Sequence, residues 1–141
     1  MPIDPDDVCL NKAAIIERCL RRILEEYESA PALDNQTRFD ALVLNIERAC
    51  QAAIDLAMHL VAIRRLGMPQ TSGEAFSLLE GAGLLSDELA RSLRAMTGFR
   101  NIAIHQYQDL DKEIVRRIAT VGWLDLVRFC EALGLRVVVQ P

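Results

Sequence analysis

Apolar residues recur along this chain in pairs about every four positions. In the first thirty residues the pairs are Ile15/Ile16, Cys19/Leu20 and Ile23/Leu24, followed by Tyr27. That period belongs to a helix with one buried face. Asp4-Pro5 reads as an N-cap followed by proline at the first helical position. Asp6 and Asp7 then lie at the positive end of the helix dipole, and "SAP" ends the element. A longer pattern runs from about Thr37 to Arg65 and stops at Gly67. Its broad apolar face holds Phe39, Leu42, Val43, Ile46, Ala49, Cys50, Ala53, Leu56, Ala57, Leu60 and Ile63. At ~1.5 Å per residue this helix is roughly 40 Å long. That exceeds what a small bundle needs and leaves part of it to pack on another subunit.

Thr71-x-x-Glu74 is a capping box that opens a short third helix, fading at Gly81 and Gly83. Ser86, followed by Asp87 and Glu88, caps a fourth with Leu89, Leu93 and Met96 inward, and Gly98 weakens its end. Asp111 caps a last long helix with Ile114, Val115, Ile118, Trp123, Leu126 and Cys130 at core spacing, closed by Gly134. The tail "LRVVVQ" is β-prone but too short for a domain, so it docks as an arm or frays. No internal repeat or inter-domain linker interrupts the pattern. The expectation is one all-α domain over residues 1–141, an up-and-down bundle of five to six helices with a short extended tail at 135–141.

With 141 residues, 51% of them apolar and 26% charged, the chain can bury a sizeable core and has ordinary globular composition. No apolar run is long enough to cross a bilayer, and "MPIDPDDV" is acidic where a secretory signal is basic, so a cytoplasmic protein without membrane contact is expected. Cys9, Cys19, Cys50 and Cys130 lack disulfide or zinc-ligand spacing, and burial as small apolar residues is their expected fate. No metal or cofactor is expected. A formal charge of −4 argues against a general nucleic-acid coat but leaves room for a local cationic site. The basic residues are arginines except Lys12 and Lys112, and arginine is the better bidentate partner for phosphate.

One stretch departs from the helical monotony. "GFRNIAIHQY", residues 98–107, gathers a glycine, Arg100, Asn101, one of two histidines and one of two tyrosines. At ~100° per residue, Arg100 and Tyr107 share a helix face two turns apart, while His105 points roughly 140° from Arg100. A straight isolated helix therefore does not focus Arg100 and His105 on one atom. Either the helix loosens near His105 or a second copy of the chain brings its own cluster alongside, and both together make one cleft from two half-sites. The chemistry suits metal-independent RNA cleavage. The ribose 2′-hydroxyl is a nucleophile beside the scissile phosphate, a histidine can take its proton, and an arginine fork can stabilise the charged transition state. The same residue types near a helix end also serve as caps and surface hydrogen-bond groups, and spacing alone does not separate these roles.

"RNIAIHQY" resembles the R-x4-H-x-Y signature of HepT-like toxins, the DUF86 family of HEPN/MNT toxin–antitoxin modules. The likeness continues through "NKAAIIERCLRRILEEY", "NIERACQAAIDLAMHL", "LGMPQTSGEAFSLLEGAGLLSDELARSLRAMTGFRN" and "YQDLDKEIV", roughly residues 11 to 130. The resemblance implies a HEPN-type bundle that forms a homodimer, with two motif copies in a shared cleft. It implies the toxin of a type VII system, a metal-independent endoribonuclease with Arg100 and His105 as catalytic pair and Asn101 in support. It also implies a partner, an MntA-like nucleotidyltransferase antitoxin, which uses ATP and magnesium to transfer AMP onto Tyr107. On a shared helix face, the added phosphate would pair with Arg100. The alternative is a catalytically silent HEPN module that binds nucleotide or its partner; a plain interaction bundle is the third reading.

Other residues carry weaker signals. Asp55 and His59, four apart on one helix face, read as an orienting pair, two metal ligands or a buried hydrogen-bonded pair. Glu47, Arg48 and Gln51 form a polar stripe for an RNA cleft or a dimer seam. Arg91 and Arg94 are the first choice for accessory phosphate contacts. Arg21-Arg22, Arg64-Arg65 and Arg116-Arg117 have acidic neighbours and read as solvated faces.

Overall fold

A computed structural model describes residues 4–139. Its elements are α1 (Asp7–Ser29), α2 (Gln36–Ile63), α3 (Ser72–Gly81), α4 (Asp87–His105), a 3-10 turn (Tyr107–Asp109), α5 (Lys112–Arg117), a π-helical segment (Ile118–Gly122) and α6 (Trp123–Ala132). Asp6 caps α1, in place of Asp4. Its backbone is extended and its carboxylate accepts from the Cys9 amide at 2.9 Å, so Pro5 stands outside the helix. Asn35 caps α2 in the same way, accepting from the Arg38 amide at 3.0 Å. The expected caps Thr71, Ser86 and Asp111 each accept from an amide of their own first turn.

α2 is the spine. Leu42, Ile46, Leu56 and Leu60 are essentially inaccessible and meet Ile16, Leu20 and Ile23 of α1. α3 and α4 close a second flank with Phe76, Leu79 and Leu93, and α6 completes the core with Leu126 and Phe129. Phe76 and Phe129 meet edge-to-face at 5.5 Å, the geometry their ring quadrupoles favour. All four cysteines are free and buried, as expected of small apolar residues. Burial pushes the Cys50 and Cys130 thiols up to about 12, which keeps them protonated and unreactive at neutral pH.

One buried charge joins the first two helices. Glu26 is 5% exposed, and its carboxylate takes the Arg38 guanidinium at 2.9 Å and that of Arg22 at 3.6 Å. Removing either arginine would leave a carboxylate buried with fewer partners, which is costly.

Gly98 does not end α4, which continues to His105. The last helix is broken by the π segment, and Ile114 is exposed although Val115 is buried. Neighbouring residues differ by about 100° around a helix, and Ile114 takes the outward direction beside Arg117 and Thr120. The tail docks. Leu135 and Val137 are buried, the Val138 amide donates to Glu17 at 2.7 Å, and Arg21 donates to the Val138 carbonyl at 3.1 Å. Gln140 and Pro141 lie outside the described residues.

Replacing Leu135 by alanine should cost roughly 2–5 kcal/mol, whereas Arg136→Ala, on the exposed side, should stay within about 0.5 kcal/mol. Urea unfolding followed by circular dichroism measures both. Equal midpoints would mean that the arm contributes nothing.

Candidate active site

α4 carries Arg100, Asn101 and His105 through its last turns, anchored by buried Phe99 and Ala103. The helix stays regular through His105, where the Gln106 amide still donates to the Ile102 carbonyl at 2.8 Å. The backbone then leaves helical geometry at Gln106 (φ −140°, ψ 50°) and enters the short turn that holds Tyr107.

That regularity decides the directions of the side chains. Arg100 turns toward α3, half-buried, with Nη2 3.5 Å from the Ser72 hydroxyl. Its Nε is buried without a hydrogen-bond partner, and no carboxylate pairs with the guanidinium among the described residues. The fork is thus largely uncommitted. Its positive charge bears on the buried Cys50 thiol of α2, partly opposing the upward push of burial there. Asn101 and His105 are exposed. A single chain therefore turns its guanidinium inward and its imidazole outward. The expected loosening of the helix does not reunite them, because it begins only after His105.

Tyr107 corrects the expectation that it shares a helix face with Arg100. Because α4 ends at His105, the ring of Tyr107 folds onto the start of α2. It meets Phe39 edge-to-face at 6.4 Å and donates its hydroxyl proton to Asp40. Burial, then the Asp40 carboxylate beside it, pushes the phenol up to about 12. Lys112 closes this corner, its ammonium 5.5 Å from the Phe39 ring centre and 2.9 Å from the Leu33 carbonyl. Asp40 is the residue that sequence reasoning missed. It lies 67 positions from Tyr107, at the fifth position of α2, where nothing local signals the pairing.

The other candidates scatter. Asp55 and His59 do not pair: Asp55 takes Lys12 at 3.3 Å and Gln51 at 2.8 Å, while His59 reaches Asp6 at 2.6 Å. Lys12 of α1 and Gln51 of α2 take Asp55, and the α1 cap takes His59, in place of the expected pairing. Asp6, Cys9 and His59 are the one group of potential metal ligands gathered among the described residues, within 4.8 Å of one another. Asp6 there already serves the α1 cap and His59. Arg91 is paired with Asp87 at 2.7 Å, and Arg94 with Ser77 at 3.1 Å and Glu80 at 3.5 Å. Arg48 and Gln51 line a groove between α1 and α2. Among the described residues no helix is long and apolar enough to cross a membrane.

Comparison with known proteins bears on the family and the fold. A family model described as Ribonuclease HepT-like matches residues 14–133. The chain is 36% identical over 129 residues to the mRNA nuclease HepT of Shewanella oneidensis, which spans 91% of this chain and 97% of that protein. It is 30% identical over 91 residues to the tRNA nuclease HepT of Aphanizomenon flos-aquae, 62% of each. A crystal structure of a toxin–antitoxin with AMP-PNP superposes with a TM-score of 0.87 at 35% identity, covering 92% of this chain and 98% of that one. The tri-AMPylated Shewanella oneidensis HEPN toxin in complex with its MNT antitoxin matches with the same figures. The all-helical bundle is of the HEPN-toxin type, and by sequence and fold the chain belongs to the HepT-like ribonuclease family.

Proposed function

We propose that this protein is the toxin of a type VII HEPN/MNT toxin–antitoxin pair in the cytoplasm, and that as a homodimer it cuts RNA without a metal. The observation that carries the reading is the uncommitted Arg100 guanidinium on the same helix as an exposed His105. One copy of the chain holds the two apart, so the cleft takes a motif from each of two protomers. Ile102 and Ile104, 41% and 43% exposed beside the motif, supply apolar surface for that contact. In the reaction the 2′-oxygen attacks phosphorus and His105 takes its proton. The bond to the 5′-oxygen breaks, that oxygen takes up a proton from solvent, and a 2′,3′-cyclic phosphate remains. Arg100 holds the non-bridging oxygens as their charge grows, and Asn101 steadies the substrate beside it. DNA lacks the attacking hydroxyl and is spared.

The partner is an MntA-like nucleotidyltransferase antitoxin that transfers AMP from ATP to Tyr107. The phenolic oxygen attacks the α-phosphorus, pyrophosphate leaves, and the hydroxyl proton departs along the bond to Asp40. Support comes from the tri-AMPylated state of a similar toxin. Tyr107 does not share a face with Arg100, so a direct ion pair gives way to another effect. A phosphate at this corner, on the turn that follows His105, repels the RNA backbone and fills the approach to the imidazole.

Expression of the chain alone should arrest growth and leave RNA fragments ending in cyclic phosphate, while His105→Ala should lower kcat by about 10²–10⁴ and spare the cells. Chelating agents should leave cleavage unchanged. Equal arrest by both forms would remove His105 from the mechanism.

Asp40→Asn, in a Tyr27→Phe background that leaves Tyr107 as the only phenol, should lower its titration midpoint from about 12 toward the ordinary value of ~10. Ultraviolet difference titration reads the shift, and an unmoved midpoint would show that Asp40 does not act on the hydroxyl.

A further inference from the structure

α1 and α2 enclose a groove of about 400 Å³ lined by residues from both helices. On α1 the positions are 12, 15, 18, 19 and 22, and on α2 they are 45, 48, 51, 52 and 55. Both sets follow the three-to-four spacing of one helix face. The Lys12–Asp55 contact at 3.3 Å sets the antiparallel register. In that register Arg18 and Cys19 lie across from Arg48, and Arg22 across from Asn45.

The lining is cationic on a chain whose formal charge is −4. Lys12, Arg18, Arg22 and Arg48 face the single carboxylate of Asp55. Asp55 is fully engaged, one oxygen taking Lys12 and the other Gln51. Arg22 is shared with Glu25 and Glu26, each at 3.6 Å. Arg18 and Arg48 make no ion pair among the described residues and are exposed. They stand on opposite walls over one floor, since both charges bear on the Cys19 thiol, where they partly offset burial.

We propose that this groove binds the phosphodiester backbone of single-stranded RNA, as a subsite outside the R-x4-H motif that governs affinity and leaves the chemical step to Arg100 and His105. The proposal rests on the nuclease reading above. Two guanidinium forks facing each other match phosphate oxygens better than any neutral ligand. From Lys12 to Arg22 the groove runs ~15 Å along the helix axis, a length suited to an extended polyanion rather than one small anion. A second copy of the chain does not fit, because two such grooves face to face would oppose eight cations. α2 is the shared wall. It turns Arg48 to the groove and Cys50, nearly opposite around the helix, to the Arg100 side, so the groove and the guanidinium lie on different sides of one helix.

The test uses the full chain free of antitoxin, with His105→Ala so that RNA survives, and a fluorescein-labelled single-stranded oligoribonucleotide read by anisotropy. Arg18→Gln combined with Arg48→Gln should raise Kd at least tenfold and reduce the salt slope by about 1.4, at ~0.7 for each phosphate that is no longer neutralised. In the protein with His105 intact the same pair should raise KM and leave kcat within twofold. Arg64→Gln with Arg136→Gln removes the same charge from exposed positions elsewhere and should leave Kd within twofold. An unchanged Kd for the groove variant, or an equal weakening in the control, overturns the proposal. So does a groove variant that keeps its RNA affinity but no longer co-elutes with the antitoxin, which would make the groove a protein contact. Groove-dependent RNA binding by a chain that never cleaves RNA would sustain the subsite and sink the nuclease reading instead. Matching thermal melts for all variants exclude misfolding as the cause.

Discussion

Five positions separate Arg100 from His105, and an unbroken α-helix converts that spacing into about 140° of rotation and roughly 7.5 Å of rise. Everything at this end of the molecule follows from whether α4 keeps its helical phase. It does: the Ser86 cap starts the helix, Leu93, Phe99 and Ala103 bury one side, and the Gln106 amide closes the last turn on Ile102. Packing thus fixes the guanidinium toward α3 and the imidazole toward solvent. In the proposed enzyme the missing half of each site is supplied by symmetry, and assembly becomes a condition for activity rather than an addition to it.

α2 connects the two functional regions. One flank forms the core with α1 and another faces α3 and α4. Its second turn offers Asp40 to Tyr107, and its middle offers Arg48 to the groove. A helix of 28 residues is long for a bundle of this size. Within one chain it carries the proposed modification corner, much of the core and one wall of the cationic groove. A displacement of α2 would be felt at all three.

Much of this was legible because it is local. Caps at Thr71, Ser86 and Asp111 and the apolar periods of α1 and α2 depend on residues within one or two turns. Family membership was legible in "RNIAIHQY" and its flanks, matched over residues 14–133. What stayed hidden depends on distant partners or on alternatives of similar energy. Asp4 and Asp6 are equivalent as caps by type, and His59 favours the later one by bonding to it. The Asp55–His59 spacing suggests a pair, yet α1 supplies each with another partner. Tyr107 depends on where α4 ends, and Gly98 points to the wrong place. The stripe of Arg48 and Gln51 marks one wall of the groove, but the other wall stayed hidden because Lys12, Arg18 and Arg22 come from α1, in a register only the tertiary contact sets.

Net charge is a poor guide to what such a protein binds. Screening at physiological ionic strength limits surface electrostatics to about 8 Å, so a polyanion near Arg18 and Arg48 meets the local field and not the sum of −4. The same screening makes the proposed switch a local event. In that proposal an AMP phosphate on Tyr107 acts on RNA only because the turn follows directly from His105. It adds charge where the backbone must approach, while the groove on the far flank of α2 keeps its cations. On these terms the modified toxin loses cleavage more steeply than it loses affinity for RNA, since chemistry and anchoring sit on different sides of one helix.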